Sequence, residues 1–367
     1  MEMLGILNEG VKLGASDVHI VPERPPMIRI KGRLQPIPNT ETLTTEQAKA
    51  LVYSILYEEQ KQKFEENLEL DCSFDVPSLS RFRVNIYVTK NGVCAALRVI
   101  PSEIPTPEDL NLPQVVIELT DLPRGLVLVT GPTGSGKSTT LASLINIINA
   151  KREEHILTIE DPIEYIYKMK SCLVNQREVG MHSHSFQNAL KYALRQDPDV
   201  ILVGEMRDLE TISLAMTLAE TGHVVFATLH TTDAPQTVDR IVDIFPPFQQ
   251  TQVRVQLSVC LKAVICQQLL PRRDGTGRVA AREIMIVSPA IANLIREGKT
   301  HQIYGAIDTG AKFGMISMDK HLSELVKKQV IDQELALAKA NKPDLLRTFL
   351  GIGAGGEWRG GGKGYAY

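Results

Sequence analysis

Gly131-Pro132-Thr133-Gly134-Ser135-Gly136-Lys137-Ser138-Thr139 constrains this chain more than any other stretch. It fits the pattern G-x-x-x-x-G-K-[ST], which works only where a strand runs through a loop into a helix. Both flanks are present: Leu126–Val129 reads as a short buried strand and Thr140–Ile148 as a helix. Four fixed positions would match by chance in about 1% of chains this long, and the flanks lower that further. The glycines let successive backbone N–H groups turn inward around a phosphate. The helix N-terminus adds roughly half a positive charge. Residues Gly131 to Thr139 therefore predict a site for ATP, with Lys137 reaching the β/γ-phosphates and the Ser138 hydroxyl on Mg²⁺. Lys137 is expected to face solvent.

Length and composition bound the rest. The chain has 367 residues, enough for two or three domains, with 43% apolar and 23% charged residues, ordinary for a soluble globular protein. A net charge of −3 argues against wholesale nucleic-acid binding, which usually needs a basic face. Cys72, Cys94, Cys172, Cys260 and Cys266 are scattered, with no C-x-x-C pair. They read as reduced thiols of a cytoplasmic protein, with neither a disulfide framework nor a zinc site. No basic stretch followed by an apolar run opens the chain, and no apolar run approaches 18 residues. Membrane association is therefore expected only through a partner, without direct insertion.

The chain reads as an α/β protein with a smaller α+β unit in front. Residues 1–100 form that unit: a helix through Leu4, Leu7 and Val11 stopped near Gly14, a strand at Val18–Val21, and a hairpin around Lys31-Gly32. Thr44-x-x-Gln47 predicts a capping box before a helix carrying Leu51, Ile55 and Leu56. Phe82–Val88 and Val93–Ile100 pair as strands about an Asn91-Gly92 turn. Residues 101–112 form a linker, stiffened by Pro101, Pro105 and Pro107. From 113 to 350, strands alternate with helices, the signature of a parallel sheet. Strands are expected at 126–130, 156–160, 200–204 and 224–229, with helices around Phe186–Leu194 and Leu209–Ala219. Beyond 280 the pattern is mainly helical: Pro289–Glu297, Asp319–Gln329 and Asp332–Ala340. Residues 351–367 hold eight glycines and read as a flexible tail.

Polar groups gather at the C-terminal ends of these strands, where ligands bind in open α/β sheets. One strand ends in Glu160-Asp161-Pro162-Ile163-Glu164, another in Gly204-Glu205-Met206-Arg207-Asp208, and a third in His230. Phosphoryl transfer needs one carboxylate to organise the Mg²⁺ shell and another to orient or deprotonate water. Glu205 suits the first role, as Mg²⁺ and water organiser, and Glu164 the second. An acid just after a strand is also a common helix N-cap, and Asp208 takes that assignment. Glu205 follows Gly204 where many P-loop enzymes carry an Asp, so the metal is expected to be held through water. His223 and His230 bracket one strand on opposite faces, which argues against a shared metal. His230, at the ligand end, suits a γ-phosphate sensor; a hydrogen-bonded structural role fits His223 equally well. In the first unit Arg81, Arg83 and Arg98 lie on paired strands, either as a solvated face or as fingers for a neighbouring subunit's nucleotide.

The P-loop, the acidic box Ile159-Glu160-Asp161-Pro162-Ile163-Glu164, the segment Val200–Glu205 and the histidine box Thr221-Gly222-His223 to His230 come in the order of the secretion ATPases, the hexameric motors of type II secretion and type IV pili. Ala15-Ser16-Asp17-Val18-His19 resembles their N-terminal signature. Within that family the chain is similar to the pilus-retraction branch. It lacks the long N-terminal extension and the four-cysteine zinc insertion of assembly ATPases. Ala290-Ile291-Ala292-Asn293-Leu294-Ile295-Arg296-Glu297 resembles the retraction motif A-I-R-N-L-I-R-E, with Ala292 in place of the first Arg. The resemblance implies a homohexamer with a PAS-like N-terminal domain and a RecA-like ATPase core. It implies inter-subunit active sites with Arg83 and Arg98 as the N-domain arginines. It also implies work at the cytoplasmic face of the inner membrane, with a pilus platform protein and pilus base machinery as partners. A pilus or secretion assembly ATPase is the alternative, because direction of work is not written in an ATP site. A RecA-like nucleic-acid motor is disfavoured by the acidic balance.

Overall fold

The computed structural model describes residues 2–30, 32–76, 79–101 and 103–352. Lys31 of the expected hairpin turn, Ser102 of the proline-rich stretch and the tail from residue 353 lie outside the described residues. The chain divides into two compact units. One is Met1–Ile104 with Glu164–Ile166; the other takes Pro105–Ile163 and the chain from Tyr167 onward.

The first unit comprises α1 (Met3–Lys12), β1 (Asp17–Ile20), β2 (Met27–Ile30), β3 (Arg33–Pro36), α2 (Thr45–Tyr53), α3 (Glu58–Asn67), β4 (Glu69–Val76), β5 (Ser80–Thr89) and β6 (Gly92–Ile100). Among the described residues its six strands pair antiparallel in the order β3-β2-β1-β6-β5-β4. Alternation along the strands sends Val18, Ile20, Phe82, Val84, Ile86 and Leu97 inward, where they share a core with Ile6, Leu7 and Val52 of the helices. Thr44 and Gln47 form the expected capping box at the start of α2. The β5–β6 turn differs from expectation. Thr89 pairs with Gly92, so Lys90-Asn91 make the turn and Gly92 is the first residue of β6, at φ 122°. A Cβ on Gly92 would lie 2.6 Å from the Thr45 methyl, so glycine serves the close approach of α2 rather than the turn.

The second unit begins with α4 (Gln114–Glu118) and then follows the P-loop order: β7 (Gly125–Thr130), α5 (Lys137–Lys151), β8 (His155–Glu160), β9 (Leu173–Glu178), α6 (Phe186–Ala193), β10 (Val200–Val203), α7 (Leu209–Glu220), β11 (Val224–Leu229) and α8 (Ala234–Asp243). It continues with α9 (Pro247–Cys260), β12 (Leu261–Pro271), β13 (Arg278–Ile286), α10 (Pro289–Arg296), α11 (Ile303–Thr309), α12 (Met318–Lys327), α13 (Gln333–Lys339) and α14 (Pro343–Leu350). The seven strands described here run in the order β13-β12-β7-β11-β10-β8-β9, parallel except for β12 with β13. The central strands are continuous Val/Ile/Leu runs buried on both faces, as a helix-covered parallel sheet requires. Leu126, Leu128, Ile201, Val203 and Val225 belong to one core with Ile212 and Met216 of α7 and Val238 and Ile241 of α8.

This strand order places the chemistry. β11 lies between β7 and β10, and β8 lies on the far side of β10. All four run parallel, so their C-terminal ends stand side by side. The P-loop, His230, Glu205 and Glu160 therefore follow one another along a single sheet edge.

Candidate nucleotide site

The P-loop has the backbone its glycines predict. Gly131, Gly134 and Gly136 take φ of 138°, 78° and 85°, a region that only glycine enters freely. At Gly131 a Cβ would collide with the backbone carbonyl of Gln267. Gln267, buried on β12, braces the loop from outside: its Nε2 donates to the Ser135 carbonyl at 2.7 Å, and its Oε1 accepts from Thr140 Oγ1 at 3.0 Å. α5 starts at Lys137, which puts Ser138 and Thr139 in its first turn. Lys137 departs from the expectation of a solvent-facing charge. It is 9% exposed, and its Nζ donates to the carbonyls of Gly131 at 2.9 Å and Pro132 at 3.2 Å. The loop curls around its own lysine, so the ammonium is already desolvated where a phosphate would meet it. Ser135 Oγ is buried without a hydrogen-bond partner. A glycine-shaped cradle, an inward lysine and an unsatisfied hydroxyl together fit a polyphosphate.

Beyond β11 and β10, Glu205 is held on both oxygens. Arg207 Nε and Nη2 donate to its Oε1 and Oε2 at 2.6 and 2.8 Å, and His230 Nε2 stands 2.8 Å from Oε1. Partial burial pushes the Glu205 carboxyl up, but the Arg207 hydrogen bonds and the charges of His230 and Arg207 outweigh it and hold the group below its usual range. Glu205 is thus ionised and oriented. A carboxylate offers about four lone-pair sites, so acceptor capacity remains for water. The departure at position 204 has a steric reason: a Cβ there would meet the Glu160 Cα at 3.2 Å and the Ile159 carbonyl at 3.3 Å. An aspartate there would crowd the β10–β8 packing, and the neighbouring backbone would have to give by a few tenths of an ångström. Arg207 carries no expectation of its own from sequence; its signal is a cation two residues beyond the Glu205 strand end.

Glu160 ends β8 buried, accepting from Thr158 Oγ1 at 2.7 Å. Glu164 is exposed and groups with the first unit, while Glu160 belongs to the second. Asp208 caps α7, accepting from Thr211 N at 2.9 Å. His223 Nδ1 lies 2.9 Å from the Leu218 carbonyl, which makes it a structural histidine at the foot of β11.

In the first unit Arg83 and Arg98 are direct cross-strand partners, both exposed. Like charges directly opposite on an antiparallel pair destabilise a sheet. Asp17 relieves this. It pairs with Arg98 across β1–β6, and its Oδ1 accepts from Arg98 Nε at 3.0 Å. Partial burial pushes the Asp17 carboxyl up, but hydrogen bonds from Ser16 and Arg98 and the Arg98 charge draw it lower overall. Asp17 belongs to the N-terminal signature; its pairing with a residue 81 positions away has no local signal.

Residues 290–296 lie in α10, capped by Ser288, whose Oγ accepts from Ile291 N. Ile291 and Ile295 are fully buried, and Leu294 packs partly against the same core. The apolar face expected at Leu294 and Ile295 is thus centred on Ile291 and Ile295. A cavity of about 800 Å³ in the first unit, bordered by Met3, Thr42, Leu51, Ile55 and Phe74, contains none of the expected site residues. Among the described residues, no three His, Cys, Asp or Glu side chains gather as a metal cage. No helix among them is long and apolar enough to cross a membrane.

Residues 3–348 match the family model described as Type II/IV secretion system protein. The chain is 52% identical over 344 residues to the type IV pilus retraction ATPase PilT of Pseudomonas aeruginosa, covering 94% of this chain and 99% of that protein. It is 51% identical over 319 residues to a twitching motility protein of Neisseria gonorrhoeae, covering 87% and 85%. A crystal structure of the pilus retraction motor PilT with bound ADP superposes with a TM-score of 0.90 at 48% identity, over 95% of this chain and 99% of that one. With a model match across nearly its whole length and relatives above 50% identity covered over at least 85% of their length, the chain belongs to the type II/IV secretion system protein family.

Proposed function

We propose that this protein is an ATPase motor that drives type IV pilus retraction, the basis of twitching motility. The observation that carries this reading is the 52% identity over 94% of the chain with a pilus retraction ATPase, joined to an intact P-loop and carboxylate site. The loop amides and Lys137 bind the ATP phosphates. Glu205 accepts a hydrogen from the attacking water and aims its oxygen at the γ-phosphorus, while Arg207 and His230 keep the carboxylate in place. His230, between the P-loop and Glu205 on the sheet edge, reports the presence of the γ-phosphate. Ser138 and, through water, Glu205 would hold a Mg²⁺ bound with ATP, which would supply charge neutralisation for phosphoryl transfer. Glu164 serves as the second catalytic acid.

The protein works as a homohexamer in which residues 1–100 and the ATPase part, 113–350, are connected by 101–112. Arg98 and Arg83 reach a neighbouring subunit's nucleotide and neutralise charge that develops in the transition state. The ring sits at the cytoplasmic face of the inner membrane, at the pilus base, and acts on a platform protein there.

The test separates binding from turnover. Lys137→Ala should abolish nucleotide binding or hydrolysis in a protein that remains folded. Glu205→Ala should bind ATP with near wild-type affinity and fail to hydrolyse it, because binding comes mainly from the loop amides. Wild-type turnover in Lys137→Ala would overturn the reading. Equal loss of ATP affinity in the two variants would refute the division of roles.

A further inference from the structure

Glu283 lies on β13, fully buried, and the chemistry described so far makes no use of it. Its two carboxylate oxygens serve two different helices. Oε1 accepts the backbone N–H of Ala234 at 2.8 Å, and Oε2 accepts that of Met318 at 3.4 Å. Ala234 is the first residue of α8 and Met318 the first residue of α12. One side chain from a sheet strand thus caps two helix N-termini that are 84 residues apart in sequence. The α12 cap is otherwise bare: Ser317 occupies the N-cap position, makes no side-chain cap bond, and leaves its Oγ buried without a partner.

α8 also matters to the nucleotide site. His230, which contacts Glu205, directly follows β11 and stands only four residues before Ala234. The intervening segment is tied to α8: Thr231 Oγ1 meets Thr237 Oγ1 at 2.6 Å, and Asp233 caps the helix through Gln236 N at 2.8 Å. Whatever fixes the first turn of α8 fixes the span that presents His230.

We propose that Glu283 is a positioning residue for ATP hydrolysis: bridging the first turns of α8 and α12, it holds the segment that presents His230 to Glu205 and couples that segment to the C-terminal helices. This rests on the ATPase reading above. Neither glutamine nor aspartate replaces the carboxylate. Glutamine has one acceptor oxygen, so one helix N–H would face an NH₂ group, and aspartate is one methylene too short to span both helices.

The surroundings make the bridge sensitive to pH. Asp233 at the N-cap of α8, Asp319 on α12, Tyr304 on α11 and Lys342 before α14 all belong to this polar cluster. Tyr304 bonds Asp233, Asp319 accepts Lys342 N at 3.1 Å, and the Lys342 ammonium lies 4.1 Å from the Tyr304 ring centre. Buried Cys266 pairs with Glu283 across β12–β13. Burial pushes the Glu283 carboxyl up, the two helix N–H groups pull it down, Asp233 and Asp319 push it up again, and it reaches about 7. Protonation replaces one acceptor with a donor that faces an N–H group, so the bridge is complete only above that pH.

Steady-state ATPase, affinity for a fluorescent ATP analogue and melting temperature, measured on Glu283→Gln and Glu283→Asp from pH 5.5 to 8.5, test this. The expected result at pH 8 is a kcat about tenfold below wild type, with nucleotide affinity within about twofold. The wild-type kcat should rise through pH 7, and that inflection should vanish in Glu283→Gln. Stability has its own sign. A carboxyl raised in the folded state loses stability as pH rises from its unfolded value through 7, so the melting temperature of Glu283→Gln should gain on wild type over that interval. An active wild type matched by an equally active, folded Glu283→Gln overturns the role alone. So does a kcat that falls only in proportion to the folded fraction. If glutamine prevents folding, Glu283→Asp and the wild-type inflection decide in the same way. A wild type that binds ATP but never hydrolyses it overturns the ATPase reading along with the role.

Discussion

At the scale of single residues, the site divides into groups whose type announces them and groups known only by their surroundings. Lys137, Ser138 and Glu205 occupy motif positions, so sequence alone points to them. Gln267 and Arg207 do not. Gln267 sits between apolar pairs on β12 beside Gln268, and its bonds to Thr140 of α5 and Ser135 of the P-loop span 127 and 132 residues of chain. No local pattern carries that information. The same holds for Asp17 and Arg98, which meet only because β1 and β6 are neighbours. Gln267→Leu should leave the Ser135 carbonyl and the Thr140 hydroxyl buried and unpaired, at a cost of about 1–3 kcal/mol for each group. The melting temperature should fall and the KM for ATP should rise, because the loop loses its outer brace. Thermal melts and ATP titrations check this, and an unchanged KM in a folded variant would show that the glycines alone shape the loop.

At the scale of elements, the strands and helices with strong periodicity or clear caps are legible, and the rest are not, for identifiable reasons. α3 reads Glu-Glu-Gln-Lys-Gln-Lys-Phe-Glu-Glu-Asn and buries only Phe64, so it offers no apolar stripe. β9 is an edge strand that ends in Arg177-Glu178, which in sequence resembles a loop. β12 carries only a short apolar run, Ala263–Cys266, before Gln267 and Gln268, and periodicity cannot tell such a run from a buried helix segment. α10 shows the complementary difficulty, since its boundaries are legible but its role is not. With Ile295 fully buried, Leu294→Ala together with Ile295→Ala should lower the melting temperature and the ATPase together; Ile→Ala in a core costs about 2–5 kcal/mol. Arg296, exposed on the same helix, separates packing from transmission. Arg296→Ala should keep stability within about 0.5 kcal/mol and basal ATPase near wild type. Twitching lost under those conditions would mean that the outer face of α10 passes on the movement.

At the scale of the whole molecule, the proposed ring pairs the finger arginines of one subunit with the phosphate loop of its neighbour. Fingers in related chemistry contribute about 10³–10⁵ in rate, so Arg98→Ala should lower kcat by orders of magnitude with little change in melting temperature. Mixing Arg98→Ala subunits with Lys137→Ala subunits should restore some turnover, since each contributes the intact half of a shared site. No recovery in rings shown to contain both variants would place the arginine's action within its own subunit, or nowhere. The central claim is that ATP hydrolysis drives retraction, and surface pili test it most directly. A strain lacking this gene should be hyperpiliated and fail to twitch. The wild-type gene should restore normal piliation and twitching, whereas the Glu205→Ala allele should restore neither. Loss of surface pili in the deletion strain would contradict the account and make the protein an assembly motor.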